Sequence, residues 1–533
     1  MPLLGGLQGK ALYRAMSACC GAAFMLYGWD AGVLGGIQET PQFRSAIGNP
    51  AGAFIIPIIA SVYNLAAGVM SLCVTLFGMQ LGRKRTILLG DLFICIGAVL
   101  QASTYSVGQI IAGRIICGFG IGCIASAVPT YMAEMSLEAS ERGPEVSYQL
   151  ALLITGVALA YWVDLGFVSG LDRYPWLWRI PLAMQSCFAI FSASLLAFLP
   201  DTPRWYYARG RNAEGDSVLA RLHALPVEHE HVQMVRAEVM ASLQEENETT
   251  DKFNFWLLFW DNSELQFGRR LRTSFLILWA QQFLGINMLS STTHSMPSPT
   301  DSPFQVYFST QIFTNLGYDA RLSGILAGVL NTVFALASYP PIWLIERLGR
   351  RALMFWGALG CGFCMLIYVI LTTLPASKAT AGTNWAAVVF IILYEVVFGI
   401  GWLGTCWVYG PEIAPLKYRH IAGGLGAAGE WFSTWVMVFG GGTGINAVGA
   451  KIFIWPLLCC FLAAAYVWFC CPESTGKTLE EMDMLFAKPA ARGRMEANAM
   501  VNHDRRASLA DSIGEKRRHS GVTRHEKIRG EKV

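Results

Sequence analysis

Apolar residues in this chain fall in long, nearly unbroken runs, with neither the period of a surface helix nor the alternation of a half-buried strand. Twelve runs stand out, at 15–37, 53–78, 86–103, 108–131, 145–167, 179–199, 273–289 with a continuation near 306–316, 322–345, 352–374, 385–410, 420–444 and 451–471. Each approaches the roughly 20 residues that cross a hydrocarbon core as a helix. A membrane barrel would instead show segments of about ten alternating residues, so the runs predict twelve transmembrane helices. The first run carries Trp29-Asp30 and lacks a small-residue cleavage site, which makes it a span and not a removable signal peptide. Basic residues concentrate in the connections after spans 2, 4, 8 and 10, as Arg83-Lys84-Arg85, Arg142, Arg347/Arg350/Arg351 and Lys417/Arg419. The positive-inside rule then predicts that both termini are cytosolic.

Composition narrows the class. Of 533 residues, 54% are hydrophobic and 14% charged, against roughly 25% charged in soluble domains. That deficit argues against a soluble enzyme and against a nucleic-acid binder. No catalytic triad, phosphate loop or metal cluster stands out, and no cofactor is implied. The 14 Cys lie within or at the ends of apolar runs, where they act as small packing residues and not as a disulfide framework. The sequon Asn247-Glu248-Thr249 falls in the polar segment 200–272, which is cytosolic in this topology and so should stay unglycosylated.

The chain repeats itself. Gly82-Arg83-Lys84 recurs as Gly349-Arg350-Arg351, Glu134 with Arg142 recurs as Glu412 with Arg419, and Pro200-Asp201-Thr202 recurs as Pro472-Glu473-Ser474. The near-constant offset predicts an all-α membrane protein of two pseudo-symmetric six-helix halves, 1–199 and 273–471, joined by a cytosolic linker, 200–272, and followed by a cytosolic tail, 472–533, largely disordered. Duplicated halves meeting at the midplane are a transporter architecture. In the tail, Arg505-Arg506-Ala507-Ser508 and Arg517-Arg518-His519-Ser520 fit a basic-residue kinase, acting on Ser508 or Ser520; a solvated tail is the plainer reading.

Seven motifs in order carry a family resemblance over roughly residues 10–487. They are Gly28-Trp29-Asp30-Ala31-Gly32-Val33; Gly113-Arg114 with Gly118, Gly120 and Gly122; Pro129-Thr130-Tyr131-Met132-Ala133-Glu134 with Arg142-Gly143; Pro200-Asp201-Thr202-Pro203-Arg204; Gln281-Gln282-Phe283-Leu284-Gly285-Ile286-Asn287; Glu346-Arg347-Leu348-Gly349-Arg350-Arg351; and Pro472-Glu473-Ser474-Thr475-Gly476-Lys477. The chain resembles a sugar porter of the major facilitator superfamily, most similar to fungal sugar/H+ symporters. The resemblance implies transport of a small-molecule sugar through the lipid bilayer of the cell membrane by alternating access.

Intramembrane charge points to the coupling site. A buried charge in the bilayer costs at least about 2.5–3.5 kcal/mol, so Asp30 and Arg114 should face the bundle and be partnered. At 1.5 Å per residue both lie about 10 Å below the outer surface, so an ion pair is within reach. Protonating Asp30 would release Arg114 and let the halves rearrange; a permanent bridge is the alternative, because facilitators in this family can carry the same Asp. Gln281, Gln282 and Asn287 are amides that can both donate to and accept from hydroxyls, and they match the family's sugar-binding positions. Tyr307, Asn331, Trp402 and Trp431 are further matched candidates. Glu430 stands where the family usually has Asn or Gln and reads as a second titrating group or a hydroxyl acceptor. The family's fifth-helix Gln aligns with Leu150, leaving Gln149 about 100° away on the helix. A cytosolic charge network is expected from Arg83, Glu134, Arg142, Glu346, Arg350, Glu412 and Arg419, with Met79 replacing its usual first Asp. Leu403-Gly404-Thr405 replaces the expected Gly-Pro after Trp402, so that helix should bend less.

One tract breaks the pattern. Between Leu289 and Val306 lie Ser290 to Gln305, with five Ser, three Thr and three Pro. Such a tract cannot sit in hydrocarbon without unmet backbone groups. Excising it restores the family's spacing, which points to an unspliced intron kept in frame; an outward loop is the alternative. The function expected is proton-coupled monosaccharide transport. A proton-independent facilitator, or a porter of a polyol, disaccharide or quinate, remains open, and a non-transporting sugar sensor or a drug antiporter fits less well.

Overall fold

The structure is a computed structural model that describes residues 6–38, 40–50, 54–137, 142–170, 173–248, 255–261, 263–290, 320–375, 377–378, 380–415, 418–477, 479–489 and 491–494. Among the described residues there are helices and turns and no strand. The first half runs α1 (Gly9–Ile37), α2 (Ile55–Leu81), α3 (Arg83–Ala102), α4 (Val107–Met135), α5 (Arg142–Gly170) and α6 (Arg179–Phe198). The segment after it forms α7 (Pro203–Ala208), α8 (Asn212–His223) and α9 (Glu230–Glu248), which bury Tyr207, Leu219, Val232 and Leu243 together.

The second half departs from uniform spans in three places, each with a local cause. The seventh span divides into α10 (Phe267–Phe283) and a short α11 (Ile286–Ser290). Gly285 at the break has φ +106, a backbone region that side chains rarely enter, and a Cβ there would lie 2.7 Å from Pro456. The eighth span is α12 (Ala320–Ala337) and α13 (Pro341–Leu348), bent by 46°, because Pro340 and Pro341 offer no N–H to continue the ladder. After α14 (Arg350–Thr372), the tenth span runs from α15 (Ala381–Phe398) through a π turn, Gly399–Leu403, into α16 (Thr405–Ile413) as one crossing. Then follow α17 (Arg419–Val448), α18 (Ile454–Cys470) and α19 (Leu479–Phe486). The continuation expected near 306–316, the tract 290–305 beyond the backbone of Ser290, Tyr307, Ser508 and Ser520 lie outside the described residues.

Among the described residues, eight helices are long and apolar enough to cross a membrane, or nine when the bent α12–α13 pair is counted as one span. Helices α1 and α17, of 29 and 30 residues, have the length but spend one face on the polar and small residues that line the centre of the bundle. Bulky apolar side chains such as Val99, Leu366 and Phe469 point outward on the other spans, where lipid is their natural solvent. Inside the first half, Trp29, Ile37, Phe43, Ile59, Ile110, Ala160, Trp178 and Leu182 form one buried cluster joining α1, α2, α4, α5 and α6.

The chain divides into two compact units. One holds the described residues of 1–253 and 271–476, and so contains both helical halves. The other holds the described residues of 254–270 and 477–494. Within this second unit Arg270 pairs with Asp483 at 2.5 Å and lies over Phe486, while the Lys488 amide donates to the Glu264 carbonyl at 2.9 Å.

Candidate functional site

The two halves meet around a central cavity of about 110 Å³, on a measure by which one buried water takes roughly 10–15 Å³. A ligand of several non-hydrogen atoms fits; a macromolecular segment does not. Helices α1, α2, α4 and α5 wall it on one side and α10, α11, α12, α15, α16 and α17 on the other.

Four amides of the second half arrive with fixed orientations. Gln281 donates Nε2 to the carbonyls of Trp402 and Leu403, both at 3.1 Å. Those carbonyls belong to the π turn, where the widened ladder leaves acceptors for a side chain. The donation turns the Gln281 Oε1 away from them, buried and without a partner. Gln282 Oε1 accepts from Asn287 Nδ2 in a very short bond, and Gln282 Nε2 donates to Glu430 Oε1 at 3.4 Å. The break at Gly285 makes that Asn287 contact possible, since an unbroken helix would carry residue 287 past residue 282. Asn287 also reaches Thr434 Oγ1 at 3.5 Å. Asn331 donates to the Ala327 carbonyl of its own helix at 3.0 Å and leaves Oδ1 free. All of these side chains line the cavity. Among the described residues, Gln281 and Asn331 thus hold free acceptors by their committed donors, which suits hydroxyl groups.

Asp30 and Arg114 sit side by side, Nη1 to Oδ1 3.1 Å, with Asp30 fully buried and Arg114 1% exposed. The guanidinium also lies 4.1 Å above the Tyr63 ring, a cation–π contact that strengthens on desolvation. Arg114 lines the cavity and Asp30 stands behind it. Glu430 lines the cavity directly, 7% exposed, with Oε2 unpartnered. Trp431 lines it too, its ring 5.3 Å from Tyr27 and 6.2 Å from Tyr63.

Two expected binding residues lie elsewhere. Trp402 is fully buried, donates Nε1 to the Met354 carbonyl at 2.7 Å and does not line the cavity. The π turn rotates the register, so Trp407 and Phe398 present the aromatic faces instead. Gln149 is turned off the cavity as well. Its Nε2 donates to Glu145 Oε1 at 2.6 Å and to the Ser17 carbonyl at 3.4 Å. Ser17 and Tyr13 also donate to Glu145, so this amide ties α1 to α5 while Leu150 takes the cavity wall. Sequence reasoning missed Gln38 and Asn64, which line the cavity with free amide oxygens. Each is a single polar residue in or just beyond a span, the signal that could have found them.

At one end of the bundle the charged residues form two matching latches. Arg83 pairs with Glu134 at 2.6 Å; Arg350 pairs with Glu412 at 2.7 Å and with Glu346 at 2.6 Å. Asp201 accepts from the amides of Arg83 and Lys84, and Glu473 accepts from those of Arg350 and Arg351. Tyr131 donates to the Pro200 carbonyl at 2.8 Å and Tyr409 to the Pro472 carbonyl at 2.7 Å. The side chains of Arg142 and Arg419 lie outside the described residues. The halves touch here: a Cβ on Gly143 of α5 would come 3.0 Å from Glu346 Oε1. Among the described residues no group of His, Cys, Asp and Glu could hold a metal ion.

Comparison with known proteins agrees with this architecture. The family model described as sugar (and other) transporter matches residues 15–486. The chain is 31% identical to the MFS-type transporter oryC of Aspergillus oryzae over 486 residues, covering 90% of this chain and 86% of that protein. It is 28% identical to the sugar transporter STL1 of Saccharomyces cerevisiae over 525 residues, covering 95% and 86%. The solved structure of the proton:xylose symporter XylE with 6-bromo-6-deoxy-D-glucose has the same fold, with a TM-score of 0.73, 20% identity, and coverage of 90% of this chain and 100% of that one.

Proposed function

Because this chain belongs to the sugar (and other) transporter family, we propose that it moves a monosaccharide across the cell membrane by alternating access, coupled to a proton. It is a multi-pass membrane transporter and not an enzyme. The carrying observation is the set of amide oxygens on Gln281, Asn331, Asn64 and Gln38, without a partner among the described residues, around one cavity between the halves. Acceptors of this kind, beside the Trp431 indole, match a ring that presents hydroxyls at its edge and an apolar face. Gln281, Gln282, Asn287, Asn331, Glu430 and Trp431 bind substrate in this reading, and Asp30 with Arg114 couples the proton. Opening and closing would break and remake the contacts at the Arg83–Glu134 and Arg350–Glu412 end, the cytosolic end by the positive-inside rule. The termini then lie in the cytosol, where a kinase can reach Ser508 and Ser520.

One observation favours a proton-independent facilitator. Asp30 is enclosed, already paired with Arg114 and absent from the cavity wall, as a permanent structural bridge would be. Labelled glucose uptake in a transport-deficient host, recorded with external pH, decides between them. The full chain and one lacking residues 290–305 are measured side by side. Saturable uptake with alkalinisation is the expected result. Saturable uptake without it makes the protein a facilitator, and no uptake from protein at the surface overturns the monosaccharide reading.

A further inference from the structure

We infer that Glu430 makes the cavity selective for charge, so that it accepts polyols with an ammonium group most tightly, neutral ones next, and carboxylated ones poorly. This rests on the transport of a monosaccharide through the cavity.

Two charged side chains line the cavity among the described residues, Arg114 and Glu430. Their situations are opposite. The Arg114 charge is answered by Asp30 at 3.1 Å and covered by the Tyr63 ring. Among the described residues Glu430 has no cation beside it; its one side-chain hydrogen bond there comes from the neutral amide of Gln282 at 3.4 Å, and Oε2 is buried with no donor. The titratable groups that face it are the phenols of Tyr27 and Tyr63, the Cys406 thiol, and Arg114 across the cavity. A carboxyl enclosed at 7% exposure either keeps its proton or ionises against a donor or cation on its open oxygen, and an ammonium on the ligand would be such a cation. The ligand is the group positioned to supply it.

A substrate hydroxyl would donate one hydrogen bond. An ammonium in its place would donate with opposite charge, which is the stronger interaction. The rings of Tyr27 and Trp431, adjacent across the seam between the two walls, favour a cation as well. A carboxylate in that place would put a second acid against the enclosed Glu430, where both cannot ionise without like-charge repulsion, an arrangement that rejects a competitor. Substrate choice thus reaches beyond ring shape to the charge at one ring substituent.

The test uses three ligands of one ring size, glucosamine, glucose and glucuronate, competing with labelled glucose for uptake by the full chain at the cell surface. The pH is set so that the amine is protonated and the acid ionised. The inference expects glucosamine to compete about tenfold more tightly than glucose, and glucuronate about tenfold more weakly or not at all. Glu430→Gln keeps an acceptor for Gln282 and removes the charge, so the three constants should converge; Glu430→Asp should keep their order. Glucose uptake with a flat ranking in the unaltered protein, or an unchanged ranking in Glu430→Gln, overturns the inference and leaves the transport reading intact. If none of the three competes and glucose is not carried, the monosaccharide reading fails and the inference with it.

Discussion

The Trp431 ring of the second half packs 5.3 Å from the Tyr27 ring of the first, tilted by 36°. The pair spans the seam that must move if the halves rock, and both rings line the cavity. Aromatic pairs contribute roughly 0.5–1.5 kcal/mol beyond their buried area. Trp431→Ala should therefore raise KM for the transported sugar several-fold, while Trp431→Phe keeps the ring pair and most of the affinity. Uptake kinetics normalised to surface protein measure both. Equal KM values for Ala and the original residue would remove Trp431 from the binding wall.

The Asp30–Arg114 pair makes a prediction that separates coupling from folding. Asp30→Asn keeps the size and an acceptor for Arg114, so the protein should reach the surface yet lose the external pH signal. Arg114→Ala instead leaves Asp30 enclosed with no counter-charge, a defect of about 3–5 kcal/mol for a broken buried pair, and should lower the amount of folded protein. Combining Asp30→Asn with Arg114→Gln removes both charges and should recover folded protein without recovering coupling. Detergent-solubilised thermal stability beside the alkalinisation trace reads the two effects. An intact proton signal in Asp30→Asn would make the pair purely structural.

The features legible in the sequence were those that stand out against an apolar background. Arg83 and Arg350, with Glu134 and Glu412, recur at a near-constant offset, and the structure gives them matching ion pairs. Gln281 and Gln282 break an apolar run and do line the cavity. What failed was rotation about a helix axis. Gln149 and Leu150 are adjacent, and a turn of about 100° decides which faces the cavity; Glu145, four residues away, claimed the amide. Trp402 lost its place to a π turn, one extra residue in a ladder that no period announces. The bend of the eighth span is written in Pro340-Pro341, within a run whose apolar character does not change there.

The two latches carry equivalent carboxylates that should respond to pH in opposite ways. Burial acts to raise the Glu473 carboxyl, but donation from Thr475 and from the Arg350 and Arg351 amides outweighs it and holds the group below its ordinary range. A depressed group stabilises the fold above its unfolded value, about 4.3 for glutamate, and loses that contribution as pH falls through the lower folded value. Glu473→Gln should thus cost about 0.5–1 kcal/mol near neutrality, with the difference vanishing on strong acidification. For Asp201 burial prevails over the amides of Thr202, Lys84 and Arg83 and raises the carboxyl. A raised acid contributes most at low pH and loses that contribution as pH rises through its folded value, so Asp201→Asn should be neutral or mildly stabilising at pH 7. Melting temperatures of the two variants across pH check the contrast; parallel curves would refute it.

Close approach of α1 to α5 gives the sharpest packing prediction. A Cβ on Gly28 would lie 1.8 Å from the Leu153 carbonyl oxygen, a backbone atom with no rotamer to yield. In a bilayer, where lipid matches side chains in polarity, helices associate through such tight contacts between small residues. Gly28→Ala must push the helices apart, at a cost of about 1–3 kcal/mol or more. The displacement would also shift Tyr27 and Asp30, which flank it on α1. Gly166 on the same α5 has open space at its Cβ, so Gly166→Ala should be tolerated or slightly stabilising. Surface abundance and thermal stability of the two variants, compared with each other, isolate the contact from a general aversion to glycine replacement. Equal behaviour of the two would mean that α1 and α5 do not approach as closely as Gly28 requires.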